Sequence, residues 1–379
     1  MRVITRQFTK EILLSSGFVL LALVALFAFF DLIGQLDDVG TDRTMGQAFT
    51  LTALTLPARI YEVMPLAALL ASVYTMSRWA ATSEFTVLRV AGMSPVSLSL
   101  SLLLPGVILV GMTYLFGEVI APPAARYALE VKTLAKNVDS VTARGYSSGV
   151  WVRDSATLDN GEKVDRYINI KYLKASNAGE TGGWRVFEFD GKGKLQFFIE
   201  SQSARYEPDH GWLLQKTVRY VYPKFDANDN APLKARIEMV DLDEYLLKSS
   251  LGPDLLGVMT IKPETMSMRD LDRYVTHLKK NNQQTEHYEV AFWKKAFYPL
   301  ATLVMIALAM PFAYMNARSG GLAIKMFIGV MIGIVFYAMN NLFSYLGVLN
   351  TWSPVVVCMI PTASMLIVAA VAMYIVERR

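Results

Sequence analysis

Ile12–Ile33 reads ILLSSGFVLLALVALFAFFDLI, an apolar run broken by one charge, Asp31, near its end. About 20 such residues wound as a helix cross the hydrocarbon core of a bilayer. Arg2, Arg6 and Lys10 precede it. A cleaved leader has an apolar stretch of about 7–15 residues and a small-residue cleavage site. This run is longer and no such site precedes Asp31, so it reads as a retained membrane helix.

Five further stretches have the same character: Ile60–Ser77, Val96–Ile120, Phe292–Met315, Leu322–Leu346 and Pro354–Val376. An apolar prelude, Ala48–Leu56, leads into the second and ends at Pro57, where the helix is expected to bend or start anew. Between the third and fourth stretches the character changes. Residues 121–292 hold 24 basic and 24 acidic side chains, out of 37 and 33 in the whole 379-residue chain. A neutral, water-compatible block thus separates two membrane blocks, and the net charge of +4 belongs to the membrane blocks. A hydrophobic fraction of 53% and mean hydropathy of +0.32 exclude a wholly soluble or disordered chain.

The central block reads as β. Gly149–Arg153, Tyr167–Leu173, Trp184–Phe189, Lys194–Glu200, Trp212–Tyr222 and Ala235–Val240 are short and rich in β-branched and aromatic residues. Asp190-Gly191 and Asp209-His210-Gly211 mark turns. The expected fold class is an α+β membrane protein with an inserted antiparallel sandwich or β-jellyroll. Its domains are 1–120 (helices one to three), 121–291 (the jellyroll at about 138–260) and 292–379 (helices four to six). Ala124–Asn137 extends helix three, and Ser267 with Asp270 starts a further helix.

Lys/Arg in short loops sets orientation. Arg2, Arg6, Lys10, Arg78, Arg89, Arg318, Lys325, Arg378 and Arg379 fall on one side, and Asp37, Asp38, Asp42 and one basic residue, Arg43, on the other. Both termini are therefore expected in the cytoplasm and the β block in the periplasm. Lys294 and Lys295, flanking helix four outside, run against the rule.

The nucleotide-loop and metalloprotease motifs are missing: no G-x-x-x-x-G-K-[ST] and no H-E-x-x-H occurs. Gly191–Lys194 reads as a hairpin turn. His210, His277 and His287 lack ligand spacing and read as surface histidines. Asp241, Asp243 and Glu244 suit either a metal or acid/base site or a charged sheet edge. Cys358, the lone cysteine, reads as a small buried hydrophobe. No basic stripe suggests nucleic acid, and no catalytic group, metal or cofactor is expected. Arg59 and Glu62 share a helix face and suit an ion pair or a substrate contact. Gly329 and Gly333 suit close helix packing or a movable seam.

The loop between helices two and three, Ser77–Ser94, is too regular for a simple turn. Ser83 suits an N-cap, Glu84 a first turn, Arg89 a last turn and Gly92 a stop. With Phe85 and Leu88 at helical spacing, it offers a short amphipathic helix near 82–92. That helix either lies on lipid or seats in a cytoplasmic partner.

Pro65-Leu-Ala-Ala-Leu-Leu, Ser83-Glu84 followed after six residues by Ala91-Gly92, and the three-plus-three helices around a β block together resemble the LptF/LptG permease family. Gly333-Ile-Val-Phe-Tyr and Pro361-Thr-Ala-Ser look closer to its LptG branch. The resemblance implies the membrane subunit of an ABC transporter that extracts lipopolysaccharide from the Gram-negative inner membrane and passes it to a periplasmic bridge, for outer-membrane biogenesis. It implies an LptF-like permease subunit, an LptB-like ATPase dimer and an LptC-like bitopic protein as partners, ATP hydrolysis belonging to the separate ATPase. Glu84, with Phe85, Leu88, Arg89 and Gly92, becomes the ATPase-coupling element. Leu26, Phe27, Phe30, Ile33, Ile332, Phe336 and Tyr337 are candidate lipid-cavity residues. Some members carry lysines after helix one; here Asp37 and Asp38 stand there, so Arg126, Lys132 and Lys136 are the candidate phosphate contacts. Two other classes fit the composition: a membrane-anchored enzyme acting on envelope lipids, and a structural assembly scaffold.

Overall fold

A computed structural model describes residues 2–40, 43–84, 87, 90, 100–135, 149–157, 163–173, 180–208, 210–223, 236–249, 251–259, 261–314, 321–349 and 352–377. Its helices are α1 (Arg2–Leu36), α2 (Met45–Ala81), α3 (Leu103–Tyr114), α4 (Ala121–Ala135), α5 (Pro253–Met259), α6 (Met268–Lys280), α7 (Glu286–Leu308), α8 (Pro311–Tyr314), α9 (Leu322–Leu349) and α10 (Pro354–Glu377). A π-helical turn, Leu115–Ile120, links α3 to α4. The strands are β1 (Val150–Thr157), β2 (Lys163–Leu173), β3 (Glu180–Phe189), β4 (Leu195–Glu207), β5 (Gly211–Val221) and β6 (Glu238–Leu247).

Two compact units result. One comprises Met1–Ala128, Pro263–Leu271 and Glu286–Arg379; the other comprises Leu129–Lys262 and Asp272–Thr285. In the first, six helices are long and apolar enough to cross a membrane: α1, α2, α3 running into α4, α7 running into α8, α9 and α10. The centre is α2 and α7, the most buried of the six, whereas α1 and α9 are the least buried. Met64, Leu69, Val73 and Met76 from α2 meet Met305, Ile306 and Leu308 from α7 in one core, flanked by Phe8 and Ile12 of α1.

Of the two outcomes expected at Pro57, a bend or a new start, the new start does not occur. Helix α2 runs unbroken through both Pro57 and Pro65. A proline removes one N–H and one helical hydrogen bond. In an apolar surrounding any break would strand further backbone groups, so continuity costs less. Thr52 and Thr55 hydroxyls donate back into the helix, to Ala48 O and Thr52 O, just before Pro57. Thr44 and Gln47 close a full capping box at its start.

The antiparallel β insert is present. The described strands pair in sequential order, β1 to β6, as a meander in one sheet. Greek-key crossing, which defines a jellyroll's order, is not among these pairings. One sheet face holds Val152, Ile168, Trp184, Val186, Ile199 and Leu214, closed over by Leu251 and Leu256. Trp184 and Trp212 meet with centroids 5.0 Å apart and both indole N–H groups are satisfied, by Thr181 Oγ1 and Leu251 O. Gly211 opens β5 at φ +106°, and a Cβ there would lie 2.5 Å from Leu247 O, so the turn at His210-Gly211 demands glycine.

Asp190 accepts from the Lys192 and Lys194 backbone N–H groups, which makes Gly191–Lys194 the expected hairpin turn. His277 corrects the expectation of a surface histidine: it is 5% exposed. Asn281 Nδ2 lies 3.2 Å from its Nε2, and Asn281 Oδ1 accepts from Ser155 N on β1. A polar residue in a polar helix looks exposed in sequence, but α6 turns that face inward. Burial holds the His277 imidazole below its ordinary pKa, opposing Asp154, which pulls it up. The unfolded chain therefore binds a proton first. His277 stabilises the fold fully above about pH 6.5, the unfolded value, and this contribution falls as the pH drops below it. The β unit's melting temperature is expected to fall from pH 7.5 to pH 5.5, and a His277→Gln variant to show a flatter profile. Parallel profiles in the two proteins would remove this role. Asp165, held below the usual carboxylate range by Ser155 and Arg153, acts only in a lower window, below about pH 4.

Candidate functional site

The least buried helices carry the candidate lipid-cavity residues. On α1, Leu26, Phe30 and Ile33 are exposed and Phe27 is half-buried; on α9, Tyr337 is exposed and Ile332 half-buried. Phe336 departs from this set. It is 4% exposed, within the helix core, stacked on Tyr298 at 6.3 Å. One residue of rotation on a helix, about 100°, separates it from Tyr337. Helices α1 and α9 both pack on α2. The α9 seam is set by glycine: a Cβ on Gly333 would lie 2.1 Å from Leu66 Cδ1, and one on Gly329 would lie 3.2 Å from Leu70 Cδ2. Close packing is thus the geometry of this pair of glycines.

A fork of charge ties α1 to α2. Arg59 Nε and Nη2 donate to the two oxygens of Asp31 at 2.9 and 2.7 Å, and Nη1 donates to Glu62 at 2.8 Å. Its guanidinium also sits 5.7 Å from the centroid of the Phe27 ring. The expected Arg59–Glu62 pair is there, but Asp31, 28 residues earlier, takes the bidentate contact. Asp38, after helix α1, pairs with Arg43 at 2.9 Å.

A second ionic cluster surrounds the π-turn. Lys295 on α7 is 5% exposed and donates to Gly117 O and to Glu118 Oε1, at 2.9 and 3.1 Å. Glu118 Oε2 also accepts from Met268 N at 2.8 Å. Lys295 lies inside α7 rather than flanking it, because that helix begins at Glu286 and not at Phe292. Removing one partner of a buried pair strands the other charge, at a cost of about 3–5 kcal/mol. Glu118 keeps partial exposure, so Lys295→Met is expected at the low end of that range. A lowered melting temperature in detergent, recovered in Lys295→Met/Glu118→Gln, is the expected result; no recovery would refute the pairing.

Of the phosphate candidates, Arg126 pairs with Asp270 at 2.6 Å, and Asp270 in turn caps α6 through Ser267. Lys132 is exposed on α4; Lys136 lies outside the described residues. At the interhelical loop, Thr82 caps α2 and Ser83 adopts φ +60°. Ser83 O accepts from Val87 N at 3.1 Å, so a new helical segment starts there. Glu84 is half-buried and accepts from Thr82 Oγ1 at 3.0 Å. Phe85, Leu88, Arg89 and Gly92 lie outside the described residues. Val87 and Val90, one helical turn apart, are 66% and 85% exposed. Two valines three apart in the loop between helices two and three are the sequence signal that points to them. Behind the loop, Trp79 donates to Glu11 Oε2 at 2.7 Å and meets Phe8, anchoring the end of α2 to α1.

Among the described residues, no group of three His, Cys, Asp or Glu side chains is arranged to hold a metal. Asp241, Asp243 and Glu244 are exposed on β6, the last strand of the described sheet, which suits a charged edge.

Six apolar helices in two sets of three, with an antiparallel sheet inserted between them, define a polytopic membrane protein of permease type. The chain belongs to the LptF/LptG family: the model for "Lipopolysaccharide export system permease LptF/LptG" matches residues 6–375. It is 26% identical over 370 residues to the lipopolysaccharide export system permease protein LptG of Escherichia coli K12, covering 97% of this chain and 96% of that one. It is 25% identical over 339 residues to LptG of Haemophilus influenzae Rd, covering 89% and 88%. It is therefore a multi-pass inner-membrane permease of lipopolysaccharide export, in a family of permeases and not of enzymes.

Proposed function

We propose that this chain is the LptG-like half of an ABC exporter. Paired with an LptF-like subunit, it takes lipopolysaccharide from the inner membrane into a shared cavity and passes it through its β unit to a periplasmic bridge. An LptB-like ATPase dimer drives it from the cytoplasm and an LptC-like protein completes it. Both termini are cytoplasmic and the β unit is periplasmic. The observation that carries this reading is the family match from residue 6 to 375, which spans both helical sets and the insert. The exposed apolar faces of α1 and α9 support it, since a cavity between two subunits requires helices left open in each. Each CH₂ kept out of water is worth about 0.8 kcal/mol. A many-chained lipid thus needs an apolar path throughout.

A photo-crosslinker at Phe30 or Tyr337 tests it, both positions being open where Phe336 is closed. Adducts with lipopolysaccharide that require an active ATPase are expected. Absence of adducts at both positions, in protein that is inserted and folded, would overturn the reading. Arg126, Lys132 and Lys136 remain the proposed phosphate contacts, with Arg126 first having to leave Asp270.

A further inference from the structure

The first turns of α1 and the start of α3 enclose a groove of about 710 Å³. Arg6, Thr9, Lys10, Leu13 and Leu14 line it from α1, and Leu104 from α3. At about 100° per residue these α1 positions share one side of the helix. The other side is used for packing. Phe8 and Ile12 enter the helix core, and Glu11 accepts from Trp79 Nε1 on α2 at 2.7 Å. The acid nearest the two cations in sequence is thus turned away from them and engaged elsewhere. Helix α3 brings no charge, since Leu103–Tyr114 is uncharged. Glu84, beyond the end of α2, is not among the lining residues. The groove therefore presents two positive charges above three leucines.

Its depth in the bilayer follows from α1 itself. From Lys10 to Asp31 is about 32 Å of helix, close to the roughly 30 Å of a hydrocarbon core. Lys10 and, one turn further out, Arg6 therefore lie at headgroup level. Leu13, Leu14 and Leu104 face the start of the acyl region, where Leu14 and Leu104 are exposed. Two features leave the groove unfinished. Arg6 and Lys10 are like charges one turn apart on a helix, an arrangement that repels. Thr9, beside them, is 7% exposed, and its buried Oγ1 has no hydrogen-bond partner. A hydroxyl buried without a partner is unfavourable. One group answers both features: a phosphate oxygen accepts from the hydroxyl and neutralises the pair of cations. Apolar chains below it then cover the leucines. An apolar helix laid in the groove would cover the leucines alone, leaving the cations and the hydroxyl as they are.

We propose that this groove holds the phosphate of an anionic diacyl phospholipid from the leaflet on the N-terminal side, as a resident lipid and not as cargo. The inference needs α1 to span the membrane and takes nothing from the export reading. Full-length protein in neutral detergent is titrated with phosphatidylglycerol and with phosphatidylethanolamine of matched chains, and bound lipid is counted by native mass spectrometry. Phosphatidylglycerol is expected to bind more tightly. Arg6→Gln and Lys10→Gln, both at exposed positions, are each expected to weaken it about fivefold, the worth of one cation near an anionic headgroup. Thr9→Val is expected to weaken it about tenfold, as loss of a hydrogen bond to a charged group requires, without lowering the melting temperature of the lipid-free protein. Equal binding of the two lipids, or phosphatidylglycerol bound by the three variants as by the unaltered chain, would overturn the site. A photo-crosslinker at Leu104 in cells reports the occupant. A phospholipid adduct is expected; an adduct only to lipopolysaccharide or to a partner protein would overturn the resident lipid. None of these readouts measures transport, so a failed site leaves the export reading standing.

Discussion

Arg166→Ala is expected to unfold the β unit at temperatures where the unaltered chain is stable. Arg166 and Glu188 have side chains 3% and 4% exposed, with Nε 2.7 Å from Oε2. Arg166 Nη1 also donates to Lys248 O at 2.6 Å. Register places Asp154, Arg166 and Glu188 side by side on β1, β2 and β3, on the face that otherwise holds Val152, Ile168 and Val186. Two buried carboxylates therefore flank one guanidinium. Alanine leaves both without it, and a stranded buried charge costs about 3–5 kcal/mol. Domain stabilities are about 5–15 kcal/mol in total. A large drop in melting temperature and rapid proteolysis within 150–247 are the outcomes to measure. Arg166→Met with Glu188→Leu is expected to regain much of the loss, because hydrophobic replacement of a whole buried pair is often neutral. An unchanged melt for Arg166→Ala would show that water reaches this row.

That charged row also shows where reading the sequence runs out. Alternation predicts which strand residues share a face, and Val150, Val152, Ile168, Ile170, Trp184 and Val186 obeyed it. The same alternation assigns Asp154, Arg166 and Glu188 inward, yet charge argues outward. Only the partner strands decide, and they come from segments 12 and 22 residues away. His277 follows the same logic. Its helix is polar, and what buries it is Asn281 bonded to a strand over a hundred residues earlier.

Within the helices, the six spans were legible because bilayer thickness fixes their length, whatever their neighbours. Which face of each span turns inward was not. All faces are apolar, so composition carries no phase, and Phe336 and Tyr337 were indistinguishable until Gly333 met Leu66. Pro57 misled for a related reason: a rule learned from helices in water overstates breakage where the alternative is an unpaired backbone in an apolar medium. The ionic ties, Asp31 to Arg59 and Glu118 to Lys295, join residues 28 and 177 apart. No local pattern announces such pairs.

Glu84→Lys is expected to abolish lipopolysaccharide export while leaving the chain folded and inserted. Among the described residues this carboxylate is held by Thr82 Oγ1 at an exposed place, where the net worth of a hydrogen bond is small. Backbone geometry at the loop is set instead by Ser83 at φ +60° and by the Thr82 cap, neither of which needs the charge. Val87 and Val90 are exposed near Glu84, so the described residues offer apolar contact and one negative charge together. On the proposed reading this segment seats in the ATPase, and the carboxylate meets a basic group there. Loss of a charge-assisted hydrogen bond costs about 1.5–3 kcal/mol, or roughly 10- to 150-fold in affinity, and reversal adds repulsion. Co-purification of the ATPase should fall accordingly, and cells relying on this variant should accumulate lipopolysaccharide in the inner membrane. Val87→Ser is expected to weaken association by a smaller factor, through lost apolar burial alone. Should the Glu84→Lys protein retain its ATPase and export normally, the segment is a lipid-lying helix, whose exposed valines would then insert in the cytoplasmic leaflet.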